Sequence, residues 1–312
     1  MNRIGYSELD IKLPAGYHEK EPERIISRKL KINKFRYEIE RKSLDARNKK
    51  DIHWQMKLRI FSKELKNKLI EPEPEIKIEY IKRNRKVVVA GSGPAGFFAA
   101  YILALAGFQV TLLERGAVVG ERYGRLMEFE GGGRFYPDSN YAFGEGGAGT
   151  FSDGKLTSRT KTISAEKKYI FKTYVKHGAP EEIQYLSKPH IGSDNLRKVV
   201  ENLRHTLAGL GADIRFGEQA VGLNIKNGYV NSVITSDNEY LCDYFVIAPG
   251  HSAYDTYRML MNSGVGFTGK SFAIGARVEL PQELVNISQW GAPAITGLKA
   301  ADFKLTWNGG SG

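Results

Sequence analysis

The chain has one cysteine in 312 residues, Cys242. A dithiol reaction needs two thiols that form and break a bridge, so intramolecular disulfide chemistry is excluded. Cys242 lies in the alternating segment Tyr240-Leu241-Cys242-Asp243-Tyr244-Phe245 and reads as a structural thiol. Long apolar runs are also missing: Tyr101 to Gly107 is too short to span a bilayer, and Met1 to Gly16 lacks the apolar core of a signal peptide. A cytoplasmic address without membrane contact is the expectation. No H-x-x-x-H or Cys/His spacing indicates a metal, and no G-x-S-x-G marks a hydrolase elbow.

What is present begins at Lys86-Val87-Val88-Val89-Ala90-Gly91-Ser92-Gly93-Pro94-Ala95-Gly96 and continues to Val110-Thr111-Leu112-Leu113-Glu114. It reads as strand, glycine turn, helix, strand, acid, which is a prescription for a dinucleotide. Gly91 permits the tight turn, Gly93 clears the approach of a pyrophosphate, and Gly96 lets helix and strand come close. The helix after Ser92, Pro94 and Ala95 carries the small residues Ala99, Ala100 and Ala104, and its N-terminus offers unpaired N–H groups to phosphate. Glu114 is placed to accept hydrogen bonds from a ribose diol and to repel a 2′-phosphate. No second glycine turn set between strand and helix follows residue 96, so a dedicated NAD domain is not expected, although a nicotinamide nucleotide could bind elsewhere.

Three later features favour FAD over NAD. Arg115 and Arg122 follow the second strand and offer guanidinium groups to the pyrophosphate. Val246-Ile247-Ala248-Pro249-Gly250 is an apolar strand ending in a small-residue turn. Phe143-Gly144-Glu145-Gly146-Gly147-Ala148-Gly149-Thr150-Phe151-Ser152-Asp153-Gly154-Lys155-Leu156 is too glycine-dense for an element interior and can turn its N–H groups inward around an anion or a flat ring.

These segments, with FGEGGAGTFSDGKLTSRTK, KPHIGSDNL, VIAPGHSA and the leader KSLDARNKKDIHW, resemble uncharacterised FAD-dependent dehydrogenases of the glutathione-reductase-like flavoprotein superfamily. The likeness runs from about Lys86 to Glu279. It implies a flavoprotein oxidoreductase and places Gly91, Gly93, Gly96, Glu114, Arg122, Gly146, Gly147, Gly149 and Gly250 around the cofactor. In the resembled fold an antiparallel excursion lies beside the adenine, with the backbone of Val221 against that ring. Pro249 stands where that turn usually carries Thr, so a hydroxyl contact is not expected there. Ser271 to Glu279 is similar to the strand that enters the family's substrate domain. Nothing after Leu305 supplies a returning strand and helix, and the expectation is that the chain is the front part of a longer flavoprotein.

Charge is uneven. The whole chain carries +11, of which residues 1–85 hold +9, from 23 Lys+Arg and 14 Asp+Glu. That leader shows an extended Leu9 to Leu13, a helix near Pro22 to Ile32, a strand with Phe35, Tyr37 and Ile39 on one face, and a strictly alternating strand through Ile52, Trp54, Met56, Leu58 and Ile60. His53, Gln55, Lys57 and Arg59 are expected to face outward. The pattern predicts a small ferredoxin-like α+β unit, whose bend with Arg41, Lys42, Arg47, Lys49 and Lys50 is either a solvated loop or a surface for RNA, another acidic partner or the flavin domain itself.

The expected organisation is a leader over 1–70, a stiff linker over 71–85, a Rossmann-like α/β domain with a parallel sheet and a β-meander excursion over 86–269, and the start of a substrate domain over 270–312. Within it, Ser193-Asp194-Asn195 is expected to cap a helix, and Asn227-Gly228 to turn a hairpin. His190, His251 and Lys155 are the candidates for proton transfer or charge stabilisation, with Asp153 beside the last; each histidine reads first as a hydrogen-bonded structural residue, and a loop-internal salt bridge explains Asp153 and Lys155 equally well. The reading is an FAD-dependent oxidoreductase passing a hydride between a small organic substrate, or NAD(P)H, and flavin. A flavin-binding module associated with RNA or sensing redox state is the alternative, and a non-catalytic fragment is a third.

Overall fold

The computed structural model describes residues 4–65, 75–152, 154–156, 164–272, 274–276 and 278–303. The chain divides into two compact units, one of Met1–Glu73 with Tyr185–Lys188 and Ser271–Gly312, the other of Pro74–Gln184 with Pro189–Lys270.

The first unit opens with β1 (Gly5–Pro14), α1 (Glu21–Leu30), β2 (Arg36–Asp45) and β3 (His53–Ser62), the strands forming an antiparallel sheet in the order β1-β3-β2. Proline in its first turn, Glu21 and Glu23 near its start and Arg28 and Lys29 near its end suit α1 to the helix dipole. One sheet face packs Ile11, Leu13, Met56, Leu58 and Ile60 with Ile26 and Ile32. The opposite face pairs its own charges, with Lys57 Nζ 2.8 Å from Glu8 and 3.2 Å from Glu40, and Arg59 3.5 Å from Glu40. His53 departs from the outward placement its alternation suggests: it is buried, its Nδ1 2.9 Å from the Asp51 carbonyl. The edge of β2 is not left open, because Lys42 N donates to Tyr185 O and Ser187 N to Lys42 O, capping a row of groups that otherwise invites pairing.

The second unit is built on β4 (Lys86–Ala90), α2 (Pro94–Leu105), β5 (Gln109–Glu114), α3 (Val119–Glu130), α4 (Ser164–Lys176), α5 (Ser193–Gly209), β6 (Asp213–Phe216), β7 (Gly222–Lys226), β8 (Tyr229–Ile234), β9 (Glu239–Leu241), β10 (Tyr244–Ile247) and α6 (Tyr254–Asn262). A parallel sheet runs β10-β4-β5-β6, and β7-β8-β9 form an antiparallel meander. Val89 lies opposite Leu112 in β5 and Val246 in β10. Strands covered on both faces must be apolar throughout, and Val87, Val88, Val89, Leu112 and Leu113 are each at most 2% exposed. Gly192, with φ 83°, precedes α5, and no Ser193 or Asp194 side chain caps it; Asn195 Nδ2 instead reaches back to the Ile191 carbonyl.

The last helix, α7 (Gln282–Trp290), belongs to the first unit, where Asn286 bonds Pro293 O and receives Ala301 N. The expected strand over 271–279 is absent among the described residues, and Phe272 and Ile274 are 83% and 91% exposed. Alternation there has no partner strand to satisfy its backbone. No helix among the described residues is long and apolar enough to cross a membrane.

Leu58 is fully buried at the centre of the first unit's core, so Leu58→Ala should cost about 2–5 kcal/mol in chemical denaturation. Lys57→Ala, on the exposed ion-paired face one residue away, should cost less than about 1 kcal/mol.

Candidate functional site

In the parallel sheet the chain proceeds from β4 to β5 and β6 on one side, then returns to place β10 on the other. Such a reversal leaves a crevice at the carboxyl ends of the central strands. A cleft of about 380 Å³ lies there, lined by the turn after β4, the turn after β10, the glycine loop and the segment Glu218–Ala220. All of it falls within the second unit.

The fingerprint glycines divide into two kinds. Gly91 has φ 102°, and a Cβ on it would lie 2.1 Å from the Ala248 carbonyl oxygen, so this residue lets the two turns touch. A Cβ on Gly96 would lie 1.9 Å from Gly91 O. Gly93 is different: its φ of −65° suits any residue, and an added Cβ would meet only Gly147 Cα at 3.7 Å. The protein itself has no steric need for glycine at 93. What the missing side chain leaves open is the first turn of α2, where Pro94 has no N–H, Gly93 supplies no side-chain cap, and Ala95 faces the cleft.

Glu114 ties the cleft floor together. It is 5% exposed; its Oε2 accepts from Ser92 N (2.9 Å) and Ser92 Oγ (2.7 Å), and its Oε1 from Gly116 N (2.9 Å) and Gly144 N (3.0 Å). One carboxylate thus joins the fingerprint turn, the turn after β5 and the glycine loop. The loop is further bound by Gly146 N to Ser92 O and Glu145 N to Ala117 O.

Both arginines expected at the pyrophosphate are committed elsewhere. Arg115 lines the cleft, but it forms a bidentate pair with Asp255 at 2.9 and 2.8 Å, donates to Thr256 Oγ1 at 2.9 Å, and sits 4.2 Å above the Phe143 ring. Arg122 is fully buried and does not line the cleft; its guanidinium serves carbonyls of the glycine loop. Sequence could not foresee either: Asp255 lies 140 residues from Arg115, and nothing local marks it as the partner.

Of the other predicted residues, Gly147, Gly149, Gly250 and His251 line the cleft. Val221 does not; its N–H is taken by Ile234 O at 2.8 Å, and the cleft wall is formed by the residues just before it, Glu218 to Ala220. His190 pairs through its backbone with Lys155 and lines neither cavity of this region. Asp153 lies outside the described residues. Gly146 and Lys155 face a second, smaller cavity of about 130 Å³ beneath the loop, walled by Phe97, Leu112, Tyr174 and Val200. Glu145, 3% exposed, accepts from Val119 N and stands 2.8 Å from Arg204 Nε at its edge. Burial pushes the Glu145 carboxyl up, against the pull of the Val119 N–H and Arg204. Among the described residues no group of three or more His, Cys, Asp or Glu is arranged to hold a metal.

Two family matches coincide with these parts. Residues 6–61 match the family described as "Domain of unknown function (DUF8436)" and residues 89–141 the "NAD(P)-binding Rossmann-like domain". An uncharacterised protein of Clostridium beijerinckii is 39% identical over 301 residues, covering 91% of this chain and 56% of its own length. The chain therefore spans little more than half of that relative. Among solved structures, Thermovibrio ammonificans THI4 aligns at 18% identity over 58% of this chain and 64% of its own, TM-score 0.38. L-proline dehydrogenase from P. horikoshii aligns at 12% identity over 60% and 58%, TM-score 0.40. Likeness of this degree assigns no activity.

Hydrogen bonds from Arg115 hold the Asp255 carboxyl down, from the ordinary 3.8 to about 2. A carboxylate depressed in the folded state stabilises the fold above its unfolded value, and that contribution disappears as pH falls from about 4 to about 2. An NMR titration of Asp255 should have its midpoint near the lower value, and Arg115→Met should return it towards 3.8.

Proposed function

We propose that the cleft is the dinucleotide site of an FAD-dependent oxidoreductase. The observation that carries the reading is Gly93: the protein does not need glycine there, whereas a pyrophosphate approaching the first turn of α2 does. The helix end and the glycine loop together offer N–H groups and the positive end of a dipole to the phosphates. Glu114 holds those two parts in register, its two oxygens taken by four protein donors. The family match over 89–141 supports a dinucleotide, and the glycine loop with the Ala248–Gly250 turn favours FAD within that class.

When bound, the flavin would supply the redox chemistry, taking or giving a hydride from an organic substrate or NAD(P)H. The chain's own contribution is position and electrostatics. Glycine-loop amides hold the anion, Phe143 and the paired Arg115 wall the cleft, and His251 is the one among the three proton-transfer candidates that lines it. The RNA-associated alternative gains nothing specific from the leader: Lys57 and Arg59 face acids across the sheet, Arg47 is held by Asp45, and Lys42 lies over the Tyr17 and Trp54 rings.

Titration of the chain with FAD and ADP tests the proposal. Both should bind, and Gly93→Val should keep the parent's circular dichroism yet weaken both about a hundredfold or more, since two charge-assisted bonds to phosphate are worth about 3 kcal/mol or more together. Parent-like binding by Gly93→Val would remove the site from this cleft.

A further inference from the structure

We propose that Arg122 is the positioning residue of the anion cradle, gripping the glycine loop from behind so that the loop is docked and its Ala148 N–H is presented to phosphate. The proposal rests on the dinucleotide reading above and adds to it the device that shapes the site.

A guanidinium has five N–H donors in a fixed fork and no acceptor. Every direct bond Arg122 makes goes to a backbone carbonyl: Nε to Asn140 O at 2.8 Å, Nη2 to Tyr141 O at 3.2 Å, and Nη1 to Gly144 O, Glu145 O and Gly147 O at 3.2, 2.8 and 2.9 Å. No carboxylate among the described residues touches it, and it is 0% exposed. A buried cation spent on carbonyls alone is costly, which argues for a specific task.

The task follows from peptide geometry. In a trans peptide the C=O and the next N–H point in opposite directions. Capture of Gly144 O turns the Glu145 N–H outward, where it meets Ala117 O; capture of Glu145 O turns the Gly146 N–H outward, where it meets Ser92 O. Those two peptides dock the loop on the turn after β5 and on the fingerprint turn. Capture of Gly147 O turns the Ala148 N–H outward in the same way, and Ala148 lines the cleft with no backbone partner among the described residues. Two neighbours keep the guanidinium in place. The Phe151 ring lies 4.8 Å from it, itself stacked on Tyr123, and Gly144 must lack a Cβ because one would stand 2.5 Å from Arg122 Cδ.

The test separates phosphate presentation from general support of the fold. Arg122→Met and Arg122→Lys are titrated with ADP and with adenosine, which shares the base and sugar and lacks phosphate, while circular dichroism monitors folding. Arg122→Met should lose ADP affinity by about ten- to a hundredfold and adenosine affinity by less than about threefold. Arg122→Lys keeps the charge but reaches fewer carbonyls, so its ADP affinity should fall between the two; if Arg122→Met does not fold, this variant carries the comparison. Equal loss for ADP and adenosine, or parent-like ADP binding, would overturn the role of Arg122 alone. Failure of the parent chain to bind ADP or FAD at all would overturn the cleft reading and this role with it.

Discussion

A carboxylate sealed under three turns governs the geometry of the cleft. Glu114 ends β5, is 5% exposed, and accepts hydrogen bonds from Ser92, Gly116 and Gly144. A carboxyl group with so little water must be satisfied by protein donors, so the fingerprint turn, the turn leaving β5 and the glycine loop have to converge on it. The depth of the cleft, the opening at Gly93 and the placement of Ala148 are consequences of that convergence. Arg122 completes the arrangement from the other side: donors gather on Glu114, and carbonyls gather on Arg122. The loop is strung between an acceptor and a donor, and its peptides are oriented by both.

This division also explains why neither arginine after β5 serves as a free phosphate ligand. Arg115 is neutralised by Asp255 and flattened against Phe143, and Arg122 is spent on carbonyls. With side-chain cations engaged, an anion in the proposed site would be met by backbone amides and the end of α2. Such donors are fixed before a ligand arrives and cost no rotamer entropy on binding.

Much of the fold was legible in the sequence because period and punctuation agree with it. The β-branched run at 87–89, the alternation through Met56, Leu58 and Ile60, and the Asn227-Gly228 turn each describe one local solution, and the parallel sheet, the meander and the leader's three strands follow. The glycines of the cleft were legible for the same reason. Partners distant in sequence were not. Arg122 reads from sequence as a pyrophosphate ligand, but whether it points at a ligand or at carbonyls depends on a loop folding back over α3. His53 fits an outward alternation and is nevertheless buried, since alternation says nothing of what covers the strand's end. Residues 271–279 alternate like a strand, and an alternating stretch becomes one only where another strand offers its backbone.

In the proposed site, phosphate is held by the first turn of α2 and the glycine loop acting together. Amide chemical shifts of the chain on addition of ADP test it most directly. Large shifts are expected at Ala95, Ala148 and Gly149, all on the cleft wall; saturation with ADP that leaves these amides unmoved while others shift would contradict joint phosphate binding.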